Sequence, residues 1–173
     1  VKELVENSID AGSSAITIEI QNGGISYIRV TDNGEGMDRT DARLCFQRHA
    51  TSKIRSNADL YSISSLGFRG EALASIAAVS QVELFTSPRN GEGGIHIVNH
   101  GGKMISEREI GCPEGTTIVV RNLFFNAPAR LKFLKSARAE TASISDIISR
   151  LILARPEISF RYINQDKAVY HSP

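Results

Sequence analysis

The stretch Ile16-Thr17-Ile18-Glu19-Ile20-Gln21-Asn22-Gly23-Gly24-Ile25-Ser26-Tyr27-Ile28-Arg29-Val30-Thr31-Asp32 decides the fold. Isoleucine at every second position from 16 to 20, set against Thr17 and Glu19, has the period of a strand with one buried face. Gly23-Gly24 makes a hairpin turn, and Ile28 and Val30 then alternate with Tyr27 and Arg29 in a second strand. Upstream, Val1, Leu4, Val5 and Ile9 form an apolar stripe at helical spacing, with Gly12 placed as the stop. Downstream, after the loop 32–36, a short helix is expected over 39–47 and another over 70–78. Between them, 48–69 has little periodicity and is rich in serine and charge, as lids often are. Strands follow near 80–87, 94–99, 103–109 and 116–122. Pro128 opens a helix, a longer helix covers 138–154, and strands at 157–164 and 167–171 end the chain. Helices alternating with hairpin-connected strands predict an α+β fold, a two-layer sandwich of a largely antiparallel sheet with helices on one face.

The 173 residues suit one domain, 1–173, with enough chain to bury a core. A net charge of +1 means that any contact with nucleic acid must come from a local patch. Cys45 and Cys112 lack metal-ligand spacing and read as reduced thiols, with a disulfide left open. No apolar run approaches a membrane span of roughly 18 residues, and no signal peptide is visible, so no membrane partner is expected. The chain opens in mid-pattern without methionine and reads as a piece of something longer.

Four clusters carry chemistry. Glu3 and Asn7 are four apart and share a helix face away from the Leu4, Val5 and Ile9 stripe. An amide oxygen there suits one place on octahedral Mg²⁺, and a carboxylate beside it can polarise a water. A solvated helix face with a Lys2–Glu6 pair is the competing reading. Asp32-Asn33-Gly34-Glu35-Gly36-Met37 follows a strand. Its Asp can accept from an exocyclic amine, and its glycines admit a close ligand; a plain tight turn explains the same letters. In Gly67-Phe68-Arg69-Gly70-Glu71-Ala72-Leu73 a loop enters a helix, an anion-binding arrangement without the Lys-Ser/Thr of a Walker loop. Arg48-His49-Ala50-Thr51-Ser52-Lys53 adds cations, and no second histidine or cysteine supports zinc. Gly115-Thr116-Thr117 opens a strand, where a hydroxyl could complete a base pocket.

In this order the clusters resemble the ATPase superfamily of gyrase, heat-shock chaperone, histidine kinase and MutL. The strings Lys2 to Gly12, Arg48 to Lys53, Gly67 to Leu73 and Asn122 to Arg130 are similar to those of the MutL family of DNA mismatch-repair ATPases, across essentially the whole chain. Ala127 departs from the threonine frequent in that family and touches no assigned role. The resemblance implies a sandwich of the GHKL ATPase type that takes ATP and Mg²⁺. It makes Glu3 the general base, Asn7 the Mg²⁺ ligand, and Asp32, with Thr116 beside it, the reader of the adenine amine. Gly36 gives the base room, and Lys53, Gly67, Phe68, Arg69 and Gly70 belong to a phosphate-contacting lid with Leu73 as a neighbour. It further implies ATP-driven dimerisation, with a second copy or a paralogue. A segment ahead of Val1 and a following domain that supplies a lysine to the γ-phosphate would be missing here, so weak hydrolysis by this piece is expected. A mismatch-recognition protein and DNA would be partners of the full protein, in a bacterial cytoplasm or a eukaryotic nucleus. A nucleotide-binding regulatory or interaction module, or a kinase or chaperone of the same superfamily, is the alternative. Finally, Arg130, Lys132, Lys135 and Arg138 lie in a run without acidic residues, and the last three, spaced by three, are expected to form one helical stripe that could meet DNA phosphates.

Overall fold

The computed structural model describes residues 1–47, 72–91 and 93–172. The chain runs α1 (Lys2–Asp10), β1 (Ala15–Gln21), a 3₁₀ turn (Asn22–Gly24), β2 (Tyr27–Asp32), α2 (Arg39–Leu44), then α3 (Ala72–Ala78), β3 (Gln81–Ser87), β4 (Gly94–His100), β5 (Lys103–Ile110) and β6 (Gly115–Arg121). It continues through α4 (Pro128–Phe133), α5 (Ala137–Ala154), β7 (Ser159–Asn164) and β8 (Lys167–His171). The eight strands form one sheet in the order β5-β4-β3-β6-β2-β1-β7-β8, antiparallel except for the β1–β7 pair. The two-layer α+β sandwich expected from the sequence is what forms.

Register explains the layers. Ile18, Val30, Ile118, Leu84 and Ile97 pair in succession across five strands and are all buried. Ile20, Ile28, Val120 and Val82 make the parallel row beside it. Leu4, Val5 and Ile9 of α1, Ala42 of α2, Leu73 and Ala77 of α3 and Ile148 of α5 pack on these rows in one core cluster. These four helices therefore cover one face. The other carries Thr17, Glu19, Arg29, Glu83 and Arg121, with Arg29 paired to Glu19 and Arg121 to Glu83.

Three local features depart from, or add to, the sequence reading. Gly23 (φ 65°) does more than turn the chain: a Cβ there would lie 2.7 Å from the Ala137 carbonyl, so the glycine lets α5 seat on the turn. The basic residues do not form one helical stripe. Leu134 is extended (φ −66°, ψ 142°) and ends α4, and Ser136 caps α5 by accepting from Ala139 N at 3.3 Å. Glu140 reaches back to Lys135 N at 2.9 Å, so the chain breaks and restarts between the two helices. Lys132 thus sits in α4, Lys135 in the junction and Arg138 in the first turn of α5, all exposed, as is Arg130. Thirdly, α2 is tied to β5. Arg43 holds Glu107 in a two-pronged pair at 2.7 and 2.6 Å, and Arg39 pairs with Glu109. The Arg43 hydrogen bonds hold the Glu107 carboxyl below the usual carboxylate range. Both cysteines are free, and burial pushes the Cys45 thiol up to about 12.

Candidate functional site

The third row of the covered face breaks the apolar rule. Ile16, Asp32, Thr116, Thr86 and Ile95 pair in succession, so three polar residues stand where the other rows have Val, Ile and Leu. Asp32 and Thr86 are buried. Burying a carboxylate costs several kcal/mol unless hydrogen bonds compensate (about 3–5 kcal/mol when a partner is lost), and here they do. Oδ2 of Asp32 accepts from Ser8 Oγ at 2.7 Å, while Oδ1 accepts from Gly34 N at 2.9 Å and Thr116 N at 3.3 Å. Ser8 belongs to α1, one residue after Asn7. The Ser8 bond therefore fixes α1 to the end of β2.

The loop that follows β2 closes this junction. Asn33 Oδ1 accepts from Ser14 N and Ala15 N, both at 2.9 Å, and Glu35 N donates to the Ala11 carbonyl at 2.9 Å. Its glycines are demanded by neighbouring backbone. A Cβ on Gly34 would lie 2.7 Å from the Ala11 oxygen, and one on Gly36 (φ 67°) would lie 1.9 Å from the Ser87 oxygen. On the side where a Cβ would stand, Gly36 thus meets the end of β3. Gly115 (φ 106°) lies as tightly against the Asp32 carbonyl, at 2.2 Å for the same probe position.

On α1 the Lys2–Glu6 pair forms at 3.6 Å. It engages Glu6 and leaves Glu3 and Asn7 to their own face, Glu3 exposed and Asn7 half-buried. Among the described residues no hydrogen bond or ion pair occupies either side chain. Also among the described residues, no group of three or more His, Cys, Asp and Glu could hold a metal ion. The Asn7 amide and the Glu3 carboxylate, one turn apart on α1, are oxygen donors of the kind a hard divalent cation takes. Leu73 is buried on the core face of α3. Lys53, Gly67, Phe68, Arg69 and Gly70 lie outside the described residues. A cavity of about 510 Å³ opens beyond Thr86, lined by Met37, Thr86, Pro88, Ile95 and Ile110 among others, and does not include Asp32, Asn7 or Glu3.

Sequence reasoning missed Ser8 and Thr86. The signal for both was phase. Ser8 sits at the helical repeat of Leu4, and Thr86 at the strand repeat of Val82 and Leu84, so each puts a hydroxyl where the pattern asks for hydrocarbon.

Residues 1–110 match the family model described as histidine kinase-, DNA gyrase B-, and HSP90-like ATPase. The chain is 55% identical over 172 residues to a DNA mismatch repair protein MutL of Agathobacter rectalis, covering 99% of this chain and 26% of that protein. It is 54% identical to MutL of Symbiobacterium thermophilum, covering 100% of this chain and 27% of the relative. The chain thus spans about a quarter of the length of the curated relatives it matches. Its fold is similar to the Aquifex aeolicus MutL ATPase domain complexed with ADP, with a TM-score of 0.78 at 31% identity, over 98% of this chain and 60% of that one. Among the described residues no helix is long and apolar enough to cross a membrane. The polar row around the buried Asp32, the acid–amide face of α1 and these likenesses agree: the chain belongs to the histidine kinase-, DNA gyrase B- and HSP90-like ATPase family, in its MutL branch.

Proposed function

We propose that residues 1–173 form one ATP-binding domain that binds and hydrolyses ATP as the ATPase module of a DNA mismatch-repair protein. The observation that carries this reading is the buried Asp32 carboxylate, held by Ser8, Gly34 and Thr116 at the end of a strand that meets α1. A buried acceptor so placed favours a ligand with an amino donor and rejects one without it. The ADP held by the similar Aquifex aeolicus domain supports a nucleotide here.

The residue roles proposed are those that the resemblance implies. Asp32 accepts from the adenine amino group with Thr116 beside it. Asn7 offers its amide oxygen to Mg²⁺, and Glu3, one turn away, orients and polarises the attacking water. When bound, the ion's contribution is to neutralise charge on the phosphoryl oxygens. Lys53, Gly67, Phe68, Arg69 and Gly70 are assigned to the phosphates, and Leu73 beside them, on the resemblance of their motifs alone. In the complete protein nucleotide binding would drive pairing with a second copy or a paralogue, and couple to a mismatch-recognition protein and to DNA. The bacterial relatives support a cytoplasmic setting.

A nucleotide-binding regulatory module with little hydrolysis is the competing function, and Glu3→Ala separates the two. In the complete protein this variant is expected to bind ATP as the wild type does and to lose roughly 10²–10⁴-fold in turnover, the usual share of a general base. Turnover that survives the substitution would remove Glu3 from the mechanism.

A further inference from the structure

Thr86 ends the apolar phase of β3 as a hydroxyl that is 1% exposed. Three groups converge on its Oγ1. Met37 N donates to it at 2.9 Å, the Gly115 carbonyl oxygen lies at 3.0 Å, and Thr116 Oγ1 lies at 3.0 Å. A hydroxyl has one proton and two lone pairs. Met37 N can only donate and the Gly115 carbonyl can only accept. The arrangement that satisfies every group, as burial demands, sends the Thr86 proton to Gly115 and one lone pair to Met37. The second lone pair then receives the proton of Thr116. Thr116 is left with lone pairs alone to turn toward Asp32, its partner across the β2–β6 ladder. Asp32 is itself an acceptor, and among the described residues its Oδ2 has Ser8 as sole donor. The end of the polar row is therefore made of acceptors.

We propose that Thr86 is a positioning residue for base selection. It orients the Thr116 hydroxyl as an acceptor, so that the site takes a purine with an amino group and rejects one with an oxo group at the same place. This rests on the nucleotide reading above. An oxo oxygen would be buried against lone pairs with no donor, and repulsion of the wrong ligand is an effective source of specificity. The chain's contribution is indirect, because Thr86 acts only through Thr116.

The test is equilibrium binding of ADP and inosine diphosphate, which carries an oxo group in place of the amine, to the complete protein. The wild type is compared with Thr86→Val, Thr86→Cys and Thr86→Ser. The expected result is a wild-type preference for ADP that falls about tenfold in Thr86→Val, the factor carried by one hydrogen bond of ordinary net strength. Thr86→Ser, which keeps the hydroxyl, restores the preference. If Thr86→Val does not fold, Thr86→Cys, close in size but a poor acceptor, is read in the same way. A purely structural role would weaken both nucleotides together and leave their ratio at the wild-type value, which overturns the proposal. A wild type that binds ADP without preference over inosine diphosphate overturns it as well. A wild type that binds neither nucleotide overturns the site reading itself, and this inference with it.

Discussion

Gly36 shows how a glycine in a loop proposed to meet a ligand can be required by the protein's own backbone. Its φ of 67° and the Ser87 oxygen, 1.9 Å from where a Cβ would stand, are both conditions that only glycine meets. In the next residue, Met37 N donates to Thr86 Oγ1 at 2.9 Å. Gly36→Ala is expected to destabilise the fold by roughly 1–3 kcal/mol from the backbone conformation alone, with the collision against β3 added. Chemical denaturation reads this directly, and an unshifted midpoint would mean that the loop can move off β3 without loss. Asp32 and Asn33 divide the work in the same loop. The first satisfies its buried carboxylate from α1 and β6, while the second ties the start of β1 through Ser14 N and Ala15 N.

At the scale of elements, the strands were legible because alternation is a local property. Ile16, Ile18 and Ile20 point one way whatever lies across the sheet, and the observed bounds of β1 and β2 follow that period. The pairing order was not legible, since the parallel β1–β7 contact joins residues some 140 positions apart and no local pattern marks it. The acid and amide of α1 and the acid of β2 were readable as residue types at suggestive spacings. Ser8, which joins them, was hidden because its role depends on which residue faces it. The basic run failed for another reason. Spacing by three was read as helix, but Ser136 and Glu140 offered a competing cap that restarts the chain, a hydrogen-bonding contest that periodicity does not weigh. The exposed positions of Lys132 and Lys135 still allow them to neutralise phosphates from two adjoining elements. Reversing both charges in the complete protein is expected to weaken DNA binding and to reduce its salt slope by about two. Unchanged affinity and slope would remove this surface from any DNA contact.

Over the whole molecule, one sheet serves two ends. The apolar rows through Ile18 and Ile20 hold α1, α3 and α5, while the row one step further replaces hydrocarbon by Asp32, Thr116 and Thr86. The apolar core and the proposed base-recognition row thus use the same ladder, displaced by two residues. That placement brings the polar row against the C-terminal half of α1 without leaving a buried charge unanswered. Whether Asp32 reads the base is tested by titrating the complete protein and its Asp32→Asn variant with ATP and Mg²⁺. The expectation is saturable binding by the wild type and an affinity lowered roughly hundredfold in the variant, the scale of a lost hydrogen bond to a charged group. Equal affinity in the two proteins would contradict it.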